Sequence, residues 1–276
     1  VPVGEGWKHP PFSAYEEDGV IYSRGILDNK GPILSCLYAL TALKRLGIKP
    51  EREVRIIFGC DEESGFEDLK YYLDHEKAPI AGFTPDCKYP VIYAERGRAV
   101  IKVKADLDHL ITFMNKYILN SQNKGERLGI DYKNDEFGQL EIRNYHLTKE
   151  DFSFSISYPA GLTLDEILTQ LNNIEGYEYE VVSHFKPVYF DKKAPMVEIM
   201  KETYEYVTGN DGTPVTTTGG TYAKMMPHIV PFGPSFPGQK GIGHNPNEWM
   251  TREDLITNAK IYALTLYQLS RKETEL

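Results

Sequence analysis

Short apolar runs and amphipathic stretches alternate along the first third of the chain. Gly19–Arg24 and Glu53–Gly59 are rich in β-branched and aromatic residues, which predicts two strands. Phe66–Glu76 has helical spacing, and Val91–Ala105 consists of two apolar runs around a polar turn. A further helix is predicted to begin at Pro32, with an apolar face formed by Ile33, Leu37, Leu40 and Leu43. This alternation is typical of an α/β protein.

The pattern changes after Asp106, where strands and helices no longer alternate regularly. The spacing predicts a helix over residues 107–118, and Gln139–His146 and Asp151–Tyr158 read as two antiparallel strands. Thr163–Ile174 is predicted to be helical, and Tyr177–Phe185 is predicted to be a strand. We therefore expect an α+β block in the middle of the chain.

Two helices are predicted in the last third of the chain. Met196–Val207 has helical spacing and ends at a Gly-containing turn. Thr251 is placed to cap the final helix, whose buried stripe is predicted to be Leu255, Ala259, Tyr262 and Leu266.

Acidic residues lie where the predicted strands of the first third end. Asp61, Glu62 and Glu63 are consecutive, Asp28 follows a strand-like run in a Gly-bounded loop, and Asp86 lies just before the apolar run Val91–Tyr93. Adjacent buried carboxylates repel each other and lose hydration, so a divalent cation is one way to compensate them. An exposed, solvated acidic turn is the alternative interpretation. With the distant His244, these carboxylates form a donor set that suits Zn²⁺ or Mn²⁺.

The chain resembles the M20 family of metallopeptidases, closest to its dipeptidase branch. Five stretches carry the resemblance in the family's order, and they are Gly25–Gly31, Asp61–Gly65, Thr84–Asp86, Gly219–Ala223 and Gly243–Glu248. The resemblance implies a zinc-peptidase-like, three-layer α/β catalytic domain with an inserted α+β lid domain, shortened here. We expect the first part of the catalytic domain in residues 1–96, the lid remnant in 97–186 and the second part in 187–276.

The resemblance also implies two divalent metal ions per subunit. Asp28 would bridge the two ions, Glu63 and His244 would bind one of them, and Asp86 would bind the other. Zn²⁺ is the expected metal, with Mn²⁺ and Co²⁺ as alternatives, because mixed carboxylate and imidazole sites accept all three. Two such ions can polarise a peptide carbonyl and activate water.

Catalytic and substrate-binding roles follow from the same resemblance. Glu62 would be the general base that takes a proton from the attacking water and delivers it to the leaving amine, with Asp61 as the alternative. Gly219 and Gly220 would contact the substrate backbone. The family has an Arg before a Tyr-Pro pair of the lid, whereas Ser157 precedes that pair here. Arg143 is therefore the predicted substitute for binding the substrate carboxylate.

The amino-acid composition argues against some classes of binding partner. The net charge of −9 argues against nucleic acid or an anionic membrane, and 41% of the residues are hydrophobic, enough for a sizeable core. Three cysteines do not indicate a disulfide framework, so a reducing, cytoplasmic location is expected. We expect a small peptide substrate, no nucleic-acid or membrane partner, and a monomer or homodimer.

One metal ligand of the family is not among the 276 residues. In the family a His-x-Asp motif precedes a stretch like Val1–Gly4, so we expect that ligand just before Val1. The chain as given is therefore expected to be inactive. The sequence favours a metal-dependent dipeptidase; an M20 amidohydrolase acting on N-acyl amino acids and a non-catalytic metal-binding relative are the alternatives.

Overall fold

A computed structural model describes all residues from 1 to 276 and has a mixed α/β architecture. The helices are α1 (Lys30–Arg45), α2 (Glu67–His75), α3 (Leu107–Phe113), α4 (Leu164–Asn172), α5 (Pro195–Thr208) and α6 (Arg252–Leu269). A π-helical turn, Met114–Ile118, continues α3. No helix combines the length and the apolar character that crossing a bilayer would require.

The strands are short, and they form five small sheets. They are β1 (Tyr15–Glu17), β2 (Val20–Tyr22), β3 (Gly82–Thr84), β4 (Ile92–Glu95), β5 (Gly97–Lys104), β6 (Lys133–Asn134), β7 (Gly138–Gln139), β8 (Glu141–Leu147), β9 (Asp151–Tyr158), β10 (Glu178–Phe185), β11 (Val188–Tyr189), β12 (Val215–Thr217), β13 (Ile229–Pro231) and β14 (Trp249–Thr251). The sheet orders are β1-β2-β14, β10-β5-β9-β8, β11-β4-β12, β13-β3 and β6-β7.

Two compact units divide the chain. Unit 1 comprises residues 1–93, 190–215 and 221–276, and unit 2 comprises residues 94–189 and 216–220. The core of unit 2 is formed by α3, α4 and one face of the antiparallel sheet β10-β5-β9-β8. The main core of unit 1 joins α1, α5 and α6 to the aromatic residues Tyr89 and Phe232. The predicted assignment of catalytic and lid domains is a functional one and stays a prediction.

Most predicted elements are present within a residue or two of their expected bounds. Helices α1, α2, α4, α5 and α6 form where the spacing predicted them, and β8 pairs with β9 in antiparallel orientation. Thr251 caps α6 as predicted, because its hydroxyl accepts a hydrogen bond from the Asp254 N–H in a full capping box. Thr163 and Glu166 form the equivalent box at the start of α4.

The predicted strand over Glu53–Gly59 is wrong. These residues form no backbone hydrogen bonds to a neighbouring strand, and Ile57 and Phe58 are exposed. A strand exists only where a partner supplies the matching N–H and C=O groups, and the alternation of side chains carries no information about that partner. The acidic triplet therefore follows an unpaired segment.

The predicted buried faces of two helices are also largely wrong. In α1 only Leu43 of the predicted stripe is buried, and the buried face is Gly31, Pro32, Ser35, Cys36, Ala39 and Leu43. In α6 only Tyr262 is shared, and the buried face is Asn258, Ile261, Tyr262, Thr265 and Leu269. Small residues bring α1 close to its neighbours: a Cβ on Gly31 would lie 3.0 Å from Leu255 Cδ2 of α6. The larger side chain of Leu37 remains exposed.

Candidate functional site

Asp28 lies at the end of a loop that leaves β2. Gly25 in this loop has a φ of +85°, a conformation that favours glycine, and its carbonyl accepts the Lys30 N–H at the start of α1. The side chain of Asp28 is about a quarter exposed. The loop therefore presents a half-buried carboxylate immediately before a helix begins.

The acidic triplet lies in a tight turn that leads into α2. The carbonyl of Asp61 accepts the N–H groups of Ser64, Gly65 and Phe66 at 3.1–3.2 Å, and its carboxylate accepts the Glu67 N–H at 2.9 Å. Asp61 is thus the turn residue of the triplet. The turn leaves the side chains of the next two acids free to point away from it.

Three predicted ligands meet in unit 1. The Nε2 atom of His244 lies 2.7 Å from Asp28 Oδ2 and 2.7 Å from Glu63 Oε1. The ligand atoms of the three residues all lie within 4.8 Å of one another. His244 itself has a φ of +64°, which turns the chain so that the imidazole faces the two carboxylates. Residues more than 200 positions apart in the sequence are therefore brought to one place.

Glu62 and Asp86 form a second pair of acids beside this cluster. Burial, the charges of Asp86, Glu63 and Asp28, and a hydrogen bond with Asp86 raise the pKa of Glu62. Asp86 follows β3, which pairs in parallel with β13. The position fits the rule that ligands gather beyond the carboxyl ends of parallel strands.

Asp28 also has a raised pKa. Burial is the largest cause, and the charge of His244 opposes it, while the charges of Glu63 and Glu248 add to it. Five carboxylates thus share one small region with one imidazole. A positive charge placed among them would stabilise their ionised forms.

The donor chemistry of this cluster fits a divalent cation. One imidazole nitrogen and two carboxylate oxygens converge, and an imidazole N–H can be donated to only one of the two carboxylates. Nitrogen and oxygen donors together suit Zn²⁺, Mn²⁺ and Co²⁺. The residues present therefore fit the metal that the sequence predicted.

The predicted substrate-binding residues all belong to unit 2. Gly219 and Gly220 are exposed, and a Cβ on Gly219 would meet only the Thr217 hydroxyl, at 3.8 Å. Arg143 forms a salt bridge with Glu141 two residues earlier on β8. Ser157 donates to the Thr218 carbonyl at 3.5 Å. The roles of Gly219, Gly220 and Arg143 toward a substrate stay predictions.

Sequence reasoning did not identify the residues that hold the acidic turn. Asp68 Oδ2 accepts the Cys60 N–H at 2.7 Å, the Asp61 N–H at 3.1 Å and the Tyr222 hydroxyl at 2.6 Å. The Tyr222 ring leaves no room at Gly59, where a Cβ would lie 2.1 Å from its hydroxyl oxygen. Tyr222 belongs to the Gly219–Ala223 motif, so that motif contributes a contact to the turn.

Glu248 was also missed, although it ends one of the matched motifs. It is 1% exposed and forms a salt bridge of 2.8 Å with Arg24, which is also buried. Its carboxylate accepts backbone N–H groups from the loop that carries Asp28. An isolated Glu at the end of a motif gave no signal of this role, because the contacts are to backbone far away in the sequence.

Comparison with known proteins identifies relatives along almost the whole chain. The model of Peptidase family M20/M25/M40 matches residues 1–268. The chain is 26% identical to the Beta-Ala-Xaa dipeptidase of Lactobacillus delbrueckii subsp. lactis, in an alignment of 378 positions that covers 99% of this chain and 80% of the relative. Because the alignment is longer than 276 residues, the relative has internal residues without a counterpart here.

Solved structures of several peptidases, and of two amidases of the hydantoinase/carbamoylase family, share the fold of this chain. Human carnosine dipeptidase 1 superposes with a TM-score of 0.76 at 15% identity, covering 98% of this chain and 77% of that protein. The M20 family metallo-carboxypeptidase Sso-CP2 from Sulfolobus solfataricus superposes with a TM-score of 0.66 at 16% identity, covering 95% and 80%. At these identities the likeness concerns the fold.

Proposed function

Because the chain belongs to peptidase family M20/M25/M40 and is a hydrolase, we propose that it is a metal-dependent dipeptidase with two divalent ions per subunit. The observation that carries the proposal is the convergence of Asp28, Glu63 and His244 beside the buried pair Glu62 and Asp86. A purely structural acidic turn would not place a distant imidazole nitrogen 2.7 Å both from its own Glu63 and from Asp28 of another loop. The dipeptidase names of relatives and fold neighbours support the same activity.

Each predicted ligand has a role in this proposal. Asp28 would be shared by both ions, Glu63 and His244 would hold one, and Asp86 would hold the other. When bound, the ions polarise the scissile carbonyl and make water a better nucleophile at neutral pH. Zn²⁺ is the first candidate, and Mn²⁺ and Co²⁺ suit the same donors.

Glu62 is the proposed general base. Its carboxylate lies among Asp28, Glu63 and Asp86, and in the metal-free protein this environment raises its pKa. A carboxylate beside the proposed ions that is a ligand of neither can accept a proton from the attacking water and pass it to the leaving amine. Glu62 would therefore act on the proton while its three neighbours hold the ions.

The proposed substrate is a dipeptide with a free amino terminus. We infer that Gly219 and Gly220 contact the substrate backbone, since a Cβ on Gly219 would meet only the Thr217 hydroxyl, at 3.8 Å. Arg143 is the proposed partner of the substrate carboxylate, for which it would exchange its present partner Glu141. This exchange replaces one charge-assisted contact by another.

The test compares two substrate classes and one ligand variant, in the protein as its cell makes it. We expect hydrolysis of alanine dipeptides, abolished by a chelator and restored by Zn²⁺, Mn²⁺ or Co²⁺. Hydrolysis of N-acetyl amino acids in place of dipeptides would identify the amidohydrolase alternative. Asp28→Ala should lose both ions by mass spectrometry under native conditions, and full occupancy in that variant would contradict the shared-ligand role.

A further inference from the structure

We propose that Glu248 is a positioning residue of the candidate metal centre, which fixes the backbone of residues 24–28 so that Asp28 meets His244. The inference rests on the proposed function, because it assigns the residue to the metal site of that function. It concerns a side chain that touches neither the proposed ions nor a substrate.

The carboxylate of Glu248 accepts four hydrogen bonds. Oε1 accepts the N–H groups of Leu27 and Asp28, each at 2.9 Å. Oε2 accepts the Gly25 N–H at 2.9 Å and Arg24 Nη1 at 2.8 Å. Three of the four donors are backbone groups of one short loop. A single side chain therefore determines the path of the chain into Asp28.

The same segment carries the imidazole that Asp28 meets. His244 lies four residues before Glu248, and the Glu248 carbonyl accepts the Ser23 N–H at 3.0 Å. Directly after Glu248, β14 pairs with β2 in the register of Trp249 with Tyr22. Residues 248–251 thus bind residues 20–23 through backbone hydrogen bonds, and the Glu248 side chain binds residues 25–28. This joining sets the separation of Asp28 and His244.

Only glutamate meets these demands at position 248. A carboxylate has acceptor sites for four donors on two oxygens, whereas the amide of Gln would turn an NH₂ group toward two of the donors. Asp is one methylene shorter and cannot reach the same set from the same backbone. Arg24 compensates the buried charge, and its Nη2 also donates to the carbonyls of Pro2 and Val3.

The first experiment measures metal binding in Glu248→Gln. The apoprotein is titrated with Zn²⁺ by calorimetry well below its melting temperature, so that loss of fold does not enter the result. We expect binding to weaken by about 10–100-fold, the usual effect of losing a group that orients a metal ligand. Unchanged affinity in the folded variant would overturn the proposal.

Glu16→Gln is the matched control. Glu16 also pairs with an arginine, Arg252, and it lies on β1 of the same three-stranded sheet, but it makes no contact with the Asp28 loop. We expect its Zn²⁺ affinity to stay within about twofold of the wild type. An equal loss in Glu16→Gln would mean that general weakening of the sheet explains the result, which would overturn the positioning role.

A second measurement starts with the wild-type protein, so that its first result does not depend on the folding of a variant. Hydrogen exchange followed by NMR should show the amides of Gly25, Leu27 and Asp28 protected in the metal-free wild type, because Glu248 already holds them. Free exchange of all three would overturn the proposal. Glu248→Asp, which keeps the charge beside Arg24, should lose part of this protection and part of the Zn²⁺ affinity.

The two proposals can fail separately. If Asp28→Ala loses Zn²⁺ while Glu248→Gln binds it like the wild type, only the positioning role is wrong. If Asp28→Ala binds Zn²⁺ like the wild type, the metal site of the proposed function is wrong, and the positioning role falls with it.

Discussion

The neighbouring carboxylates of the acidic turn differ in their hydrogen bonds and in the charges around them. The carbonyl and carboxylate oxygens of Asp61 accept hydrogen bonds from backbone N–H groups of the turn. Glu62 instead faces Asp28, Glu63 and Asp86 and is more than half buried. Adjacent acids in one tripeptide thus have separate tasks because the turn points them in different directions. The residue scale is where the proposed chemistry can be tested most directly.

Glu62→Gln should lower dipeptide hydrolysis by about 10²–10⁴-fold, the range expected when a general base is lost. The variant should keep its metal, because the substitution removes none of the proposed ligands. Initial rates and metal content are the two measurements. Glu67→Gln is a suitable control, since Glu67 is exposed and lies outside the cluster. Loss of metal from Glu62→Gln would show that Glu62 is a ligand.

The pH dependence of stability provides a second residue-scale test. Because the folded pKa of Glu62 is raised above its ordinary value of 4.5, the folded metal-free protein holds this proton more tightly than the unfolded chain. The resulting stability is present at acidic pH and is lost as pH rises above that ordinary value. Glu62→Gln should flatten this decline when melting temperatures in chelator are compared at about pH 5 and about pH 8. Equal declines in both proteins would exclude Glu62 as the cause.

At the scale of elements, the sequence predicted the features that depend on neighbouring residues, such as helix caps. It did not predict which segments pack against or pair with each other. Thr163 and Thr251 mark helix starts because a cap depends on residues three positions apart. The segment Glu53–Gly59 has a good strand composition but no neighbour to pair with. The buried face of α1 differs from the predicted one because small residues pack there, and side-chain hydrophobicity alone does not indicate such a face. The buried face of α6 differs because it includes the polar Asn258 and Thr265.

The start of α2 offers an element-scale prediction. Asp68 joins this helix to the acidic turn by accepting from Cys60, Asp61 and Tyr222. Asp68→Ala leaves these donors without their acceptor and should lower the free energy of unfolding by about 1–3 kcal/mol. Tyr222→Phe removes one of the hydrogen bonds and should cost about 0.5–1.5 kcal/mol. Urea unfolding measures both, and a larger loss in Tyr222→Phe than in Asp68→Ala would refute this account of the turn.

At the scale of the whole molecule, the order of the motifs predicted the family, and the fold brings the predicted acids and His244 together in unit 1. Family resemblance could indicate Asp28 and His244 because their motifs are short and continuous. It could not indicate that Glu248 holds the Asp28 loop, since that contact joins backbone and side chain across 220 positions. Contacts of this kind exist only in the folded chain.

The division into units leads to a prediction about metal affinity. Ile156 is fully buried in the core of unit 2, whereas all proposed ligands belong to unit 1. Ile156→Val should lower stability by about 0.5–1.5 kcal/mol and leave the Zn²⁺ dissociation constant unchanged. Calorimetric titration and thermal unfolding of the same sample give both values. A weaker Zn²⁺ affinity in this variant would show that unit 2 contributes to the site.

The exposed thiol of Cys60 gives experimenters a built-in attachment point. Cys60 directly precedes the acidic turn, and its N–H is fixed by Asp68, while Cys36 is buried and burial raises its thiol pKa to about 12. A maleimide dye should therefore couple at position 60 far faster than at position 36. With the partly exposed Cys87 replaced by serine, so that the dye couples at position 60, a change in its fluorescence on adding ions would report occupancy in real time without a new cysteine.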